Sequence, residues 1–141
     1  MSRVTAGGHV RVRPFNTADT YPEQQLGNDL CQAVVAGNTI YLRGQVAQDL
    51  DTRENVAVGD PAGQAMRTMD NIELLLGEAG ARLEHIVTCD VYLTDIRYRE
   101  AVYGVLGERM RGVYPAFTGL VVQALARPEW LVEVTAVAVM P

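Results

Sequence analysis

Gln32-Ala33-Val34-Val35-Ala36-Gly37-Asn38-Thr39-Ile40-Tyr41-Leu42-Arg43-Gly44 is two short runs of apolar, β-branched and aromatic residues about a Gly-Asn pair. Such a pair supplies the positive φ that a two-residue hairpin turn demands, so the stretch predicts a β-hairpin. Downstream, residues 49–59 are polar and acidic and read as a loop. Asp60-Pro61 then opens a helix: Asp caps orphan amides and Pro fits the first helical position. Ala62, Ala65, Met66, Met69, Ile72, Leu76 and Ala79 follow at helical spacing, and Gly80 suits the left-handed end.

Further along, residues 85–94 predict a strand, and Tyr98, Ala101, Val102, Val105 and Leu106 a shorter amphipathic helix. Two more strands are expected over 118–126 and 131–140, separated by Arg127-Pro128-Glu129. In the last strand Leu131, Glu133, Thr135 and Val137 share one face. Val132, Val134, Ala136 and Ala138 share the other. Upstream, Gly7-Gly8, Pro14, Pro22 and Gly27 interrupt residues 1–28, which read as an irregular, weakly basic arm with room for one strand. Residues 29–141 form a single domain in this reading. The order β-β-α-β-α-β-β predicts an α+β fold, a mixed sheet with two helices on one face. Strands apolar on both sides imply that copies of the chain pack against the other face.

The chain has 141 residues, a net charge of −5 and no lysine, so every basic residue but histidine is arginine. Schiff-base and phosphate-loop lysine chemistry are thereby excluded. The acidic balance argues against nucleic-acid binding. No apolar run reaches the ~20 residues of a membrane span, and no apolar signal-peptide core opens the chain, so membrane insertion and export are not expected. Cys31 and Cys89 lie far apart and His9 and His85 are the only histidines, which speaks against a zinc site and for a reduced, cytoplasmic setting.

An ordered set of motifs resembles the RidA/YjgF family. The hairpin above with Gly44-Gln45-Val46 resembles the family's first hairpin. Asp70-Asn71-Ile72 with Ala79-Gly80 resembles its first helix, and Val91-Tyr92-Leu93-Thr94-Asp95 its central strand. Pro115-Ala116, Leu125-Ala126 and Val132-Glu133-Val134 complete the match. The resemblance implies a chorismate-mutase-like fold and a homotrimer with small-molecule clefts between subunits. It also implies hydrolysis of reactive enamines or imines to release ammonia, with no metal or organic cofactor. Some members carry ribonuclease labels, which the acidic composition here disfavours.

Carried over position by position, the resemblance makes Glu133 the catalytic carboxylate that positions water, and Gly44 and Gln45 part of the substrate-binding loop after the hairpin. Leu30 stands where members often have tyrosine, Tyr103 where they have asparagine, and Gly119 where some have cysteine. Phe117, followed by Thr118, stands where members have the arginine that clamps a substrate carboxylate. A phenyl ring offers no charge-assisted fork, so the imino acids taken by arginine-bearing members are expected to bind poorly here. Two readings follow: a deaminase with a less anionic substrate, or a ligand-binding trimer without turnover. Arg43 or Arg127 could serve as a displaced clamp; otherwise both are surface arginines.

Overall fold

Gly7 and Gly8, at φ +60 and +81, turn strand β1 (Arg3–Ala6) back into β2 (His9–Val12) in a computed structural model that describes residues 2–141. This corrects the expectation of an irregular arm. The glycine pair read as an interruption is a hairpin turn, for which two left-handed residues are required. Arg13 then anchors the hairpin. Its guanidinium donates to both Glu78 oxygens at 2.8 Å and to Asp51 at 3.1 Å, with the Arg13 and Glu78 side chains only 17% and 12% exposed. The Glu78 carboxyl is held below its usual range chiefly by the hydrogen bonds from Arg13.

Next come β3 (Phe15–Asn16), one helical turn α1 (Thr17–Thr20) and β4 (Asp29–Leu30), with β3 and β4 paired as a separate two-stranded ribbon. The predicted hairpin follows as β5 (Ala33–Ala36) and β6 (Thr39–Leu42), with Gly37 at φ +61. Helix α2 (Pro61–Glu78) starts where Asp60 accepts the Gly63 amide at 3.1 Å, and Gly80 sits past its end at φ +92. The remaining elements are β7 (Ile86–Leu93), α3 (Arg99–Arg109), β8 (Ala116–Val121) and β9 (Val132–Val139). The predicted strand over 118–126 is shifted: pairing with β7 begins at Ala116 and ends at Val121, and residues 122–131 form the connection to β9.

The large sheet runs β1-β2-β5-β6-β9-β7-β8, antiparallel throughout except for the parallel pair β7–β8 that α3 connects. Alternation gives the sheet two unlike faces. Val132, Val134, Ala136 and Ala138 of β9 pack with Ile40 and Leu42, Val91 and Leu93, and with Met69, Ile72 and Leu76 of α2 and Val102 and Leu106 of α3 in one core. The other face carries Glu133, Thr135 and Val137 of β9. On it Tyr41 lies beside Val137, and Leu120 and Glu133 both flank Tyr92. Among the described residues no helix covers that face, and Tyr41 and Leu120 are about half exposed.

Candidate functional site

Glu133 lies on the open face because β9 alternates, and the chain after β6 is drawn against it. Gln45 and Val134 exchange backbone hydrogen bonds of 2.8 and 2.9 Å, which brings Gly44 alongside the Glu133 side chain. A Cβ at position 44 would overlap the carboxylate, so a larger residue there would push the Glu133 side chain aside. Burial raises the Glu133 carboxyl above its ordinary range, and the positive charge of Arg43 partly opposes this. A half-buried carboxylate of raised proton affinity, beside a bare backbone segment, can hold a water molecule and exchange a proton with it.

The neighbours of Glu133 differ in role. Gln45 is buried and donates through Nε2 to Gln32 Oε1 at 2.9 Å and to the Arg43 carbonyl at 3.0 Å. It shapes the loop and does not face solvent. Arg43 is half-buried, its guanidinium carbon 5.3 Å from the centroid of Phe15. Leu30, 41% exposed, pairs with Phe15 in the small ribbon, so it stands on the same side of the molecule.

Phe117 and Tyr103 form a second group. In register Phe117 lies beside Cys89, on the helix-covered face, and Tyr103 reaches it from α3. Their ring centroids are 5.1 Å apart and nearly perpendicular, the favoured edge-to-face arrangement. The Tyr103 hydroxyl fills the place that a Cβ on residue 119 would take, so Gly119 makes room for it. With Leu106, Met110, Tyr114 and Pro115 the pair lines a largely apolar hollow of about 350 Å³. Arg99 stacks on the Tyr103 ring at 5.1 Å from its centroid but does not line that hollow.

Within one chain the expected site residues are therefore not gathered. Phe117 and Tyr103 belong to the helix side of the edge strand, Glu133 and Gly44 to the open face. Thr118 points opposite to Phe117, level with Asp90 and Thr135 on the open face. Arg127 is not a free clamp: it pairs with Glu23 and stacks on Tyr21 and Trp130. Cys89 is packed, and burial pushes its thiol up to about 12, so it stays protonated and inert. Among the described residues there is no cluster able to hold a metal ion and no helix long and apolar enough to cross a membrane. The sequence does not mark Phe15, on which Arg43 stacks, or Arg53, which shares that ring and lies over Tyr21; nothing in their spacing links a residue near position 15 to loops at 43 and 53.

Residues 24–140 match the model of the endoribonuclease L-PSP family. Protein DfrA of Myxococcus xanthus is 38% identical over 106 residues, 75% of this chain and 79% of that protein. A 2-iminobutanoate/2-iminopropanoate deaminase of Dermatophagoides farinae is 28% identical over 85 residues, 60% of this chain and 66% of that protein. The solved structure of a YjgF/YER057c/UK114 family member from Mycobacterium tuberculosis superposes with a TM-score of 0.75 at 25% identity, covering 94% of this chain and 99% of that one. The match over residues 24–140, the relatives at this identity and coverage, and the shared fold make the chain a member of the endoribonuclease L-PSP family, the RidA/YjgF group.

Proposed function

We propose that this protein hydrolyses reactive enamines or imines to release ammonia, in clefts between the copies of a cytoplasmic homotrimer. The observation that carries the reading is Glu133, a carboxyl of raised proton affinity pressed against Gly44. It holds the water that attacks the imine carbon. The C–N bond breaks as the nitrogen takes up protons and leaves as ammonia, and the attacked carbon becomes a carbonyl.

The trimer is supported by the uncovered face and by β8, an edge strand exposed along its whole length. An unpaired edge with half-exposed Leu120 and Val121 is a surface that chains cover. Association also explains the split site: one copy supplies Phe117 and Tyr103, its neighbour Glu133 and Gly44. The aromatic wall selects a substrate that presents an apolar group, not a carboxylate, to position 117. The cytoplasmic assignment rests on two free cysteines and the lack of a disulfide among the described residues.

The test is ammonia release from freshly generated imines offered to the pure protein. Imines with a bulky apolar or aromatic substituent are expected to be hydrolysed faster than those with a methyl or ethyl group. No acceleration with any imine contradicts the enzymatic reading. It leaves the second one, a ligand-binding trimer without turnover, for which the loss of the family's charged clamp to Phe117 speaks.

A further inference from the structure

Seven arginines pair with carboxylates among the described residues. Arg43 and Arg53 do not, although the chain carries 17 acidic residues and 12 basic ones. They come from different loops to the same ring. Their guanidinium carbons lie 5.3 and 5.2 Å from the centroid of Phe15, and Arg53 also lies 6.0 Å from that of Tyr21. Two cations sharing one aromatic ring repel each other, and a ring quadrupole offsets this only in part. One buried guanidinium nitrogen of Arg53, Nη1, has no hydrogen-bond acceptor among the described residues. Buried donors are normally satisfied, so this one lacks an acceptor that a ligand can bring.

The pair is also held in advance. Arg53 sits at φ +66, its amide donating to the Asp49 carbonyl at 2.9 Å and its carbonyl accepting from Gln48 Nε2 at 3.1 Å. Asp49 ties the same loop by accepting the amides of Asp51 and Thr52 at 2.8 and 2.9 Å. The Arg43 backbone amide donates to the Gln32 carbonyl at 2.9 Å, and the side chain's charge is felt by Glu133. Guanidinium groups stacked on one ring over a fixed backbone, and with no carboxylate in salt-bridge contact, bind a carboxylate at reduced ordering cost.

We propose that Arg43 and Arg53, stacked on Phe15, form the anion subsite of this protein and take the carboxylate of its substrate. The substrate class is then a 2-imino acid with a large apolar side chain. It lies with its acid group toward the Arg43 side of the cleft and its side chain toward Phe117 and Tyr103. This deepens the hydrolase reading and rests on it for the placement beside Glu133; the anion subsite itself is built within one chain.

Calorimetric titration with phenylpyruvate, the keto acid that such an imine yields, and with its neutral amide tests this. The acid is expected to bind about tenfold tighter than the amide or better, since a charge-assisted hydrogen bond carries about one decade of affinity. Arg43→Gln and Arg53→Gln should each remove about that factor, and Arg53→Lys should restore part of it. Glu133→Gln separates the two claims, because it should stop ammonia release while leaving the acid bound at least as tightly. Equal binding of acid and amide to the wild-type protein, which needs no variant, overturns the subsite. So does wild-type affinity in both arginine variants, which leaves the stacked pair a structural staple. Inorganic phosphate binding tighter than phenylpyruvate overturns the carboxylate assignment.

Discussion

Glu133→Gln is expected to slow ammonia release about a hundredfold, the low end of what a positioned acid–base group contributes, while making the protein more heat-stable at pH 8. The two effects share a cause. Burial raises the Glu133 carboxyl above its ordinary range, so the folded chain binds the proton more tightly than the unfolded one. A group raised in this way favours folding below the unfolded value of about 4.3 and loses that contribution as pH rises through the folded value. Glutamine has no charge to desolvate. The melting temperature of the variant should therefore exceed the parent's at pH 8, and the gap should close below about pH 4. Thermal melts at the two pH values and an ammonia assay check both halves. A variant that is less stable at pH 8 means that the carboxylate is held by favourable bonds and is not strained by burial. For the same reason the acid limb of the parent's pH–rate profile should lie above the usual glutamate range.

Glu78→Ala should destabilise the protein by about 2 kcal/mol, because it leaves a largely buried guanidinium with Asp51 as its one remaining carboxylate partner. In a chain of this length that lowers the melting temperature by roughly 6–10 °C. The sign with pH is opposite to that of Glu133. The Glu78 carboxyl is lowered in the fold, so its contribution is present at neutral pH and is lost as pH falls through the folded value. The wild-type advantage over Glu78→Gln should shrink accordingly in acid. A functional consequence follows from chain order. Arg13 lies two residues before Phe15, the ring that carries Arg43 and Arg53. Loosening it should weaken phenylpyruvate binding before it unfolds the core, seen as a loss of affinity at temperatures where the far-ultraviolet circular dichroism is still native.

The core of this fold is written in local signals. The Gly-Asn turn, the Asp60-Pro61 start of α2, its Met69–Ile72–Leu76 stripe and the alternation of β9 each act within a few residues, and each is where the sequence places it. The N-terminal hairpin was missed because Gly7-Gly8 carries the same letters as a linker. Its stability comes from Arg13 and Glu78, 65 residues apart. The end of β8 is misplaced by the sequence because Leu120 to Ala126 is apolar but for Gln123, yet pairing with β7 ends at Val121. The site was legible only in part. Glu133, Gly44 and Phe117 each stand out by resemblance, but Glu133 and Gly44 meet through the Gln45–Val134 bridge, which joins two distant segments and which no local pattern marks. The splitting of these residues between two faces depends on the bounds of β8, which the sequence misplaces, and the Arg43–Phe15–Arg53 stack on three separate segments that no local pattern links.

Two dead variants, mixed, test the central claim most directly. Glu133→Gln removes the water-holding carboxylate from one half of the cleft, and Phe117→Asp puts a negative charge in the other. Each protein alone should be nearly inactive in the ammonia assay. Unfolded and refolded together in equal amounts, they should regain about a quarter of the parent's activity, the share of clefts that random pairing of chains leaves with both halves intact. Mixtures no more active than the separate variants would contradict a site completed by a neighbouring copy.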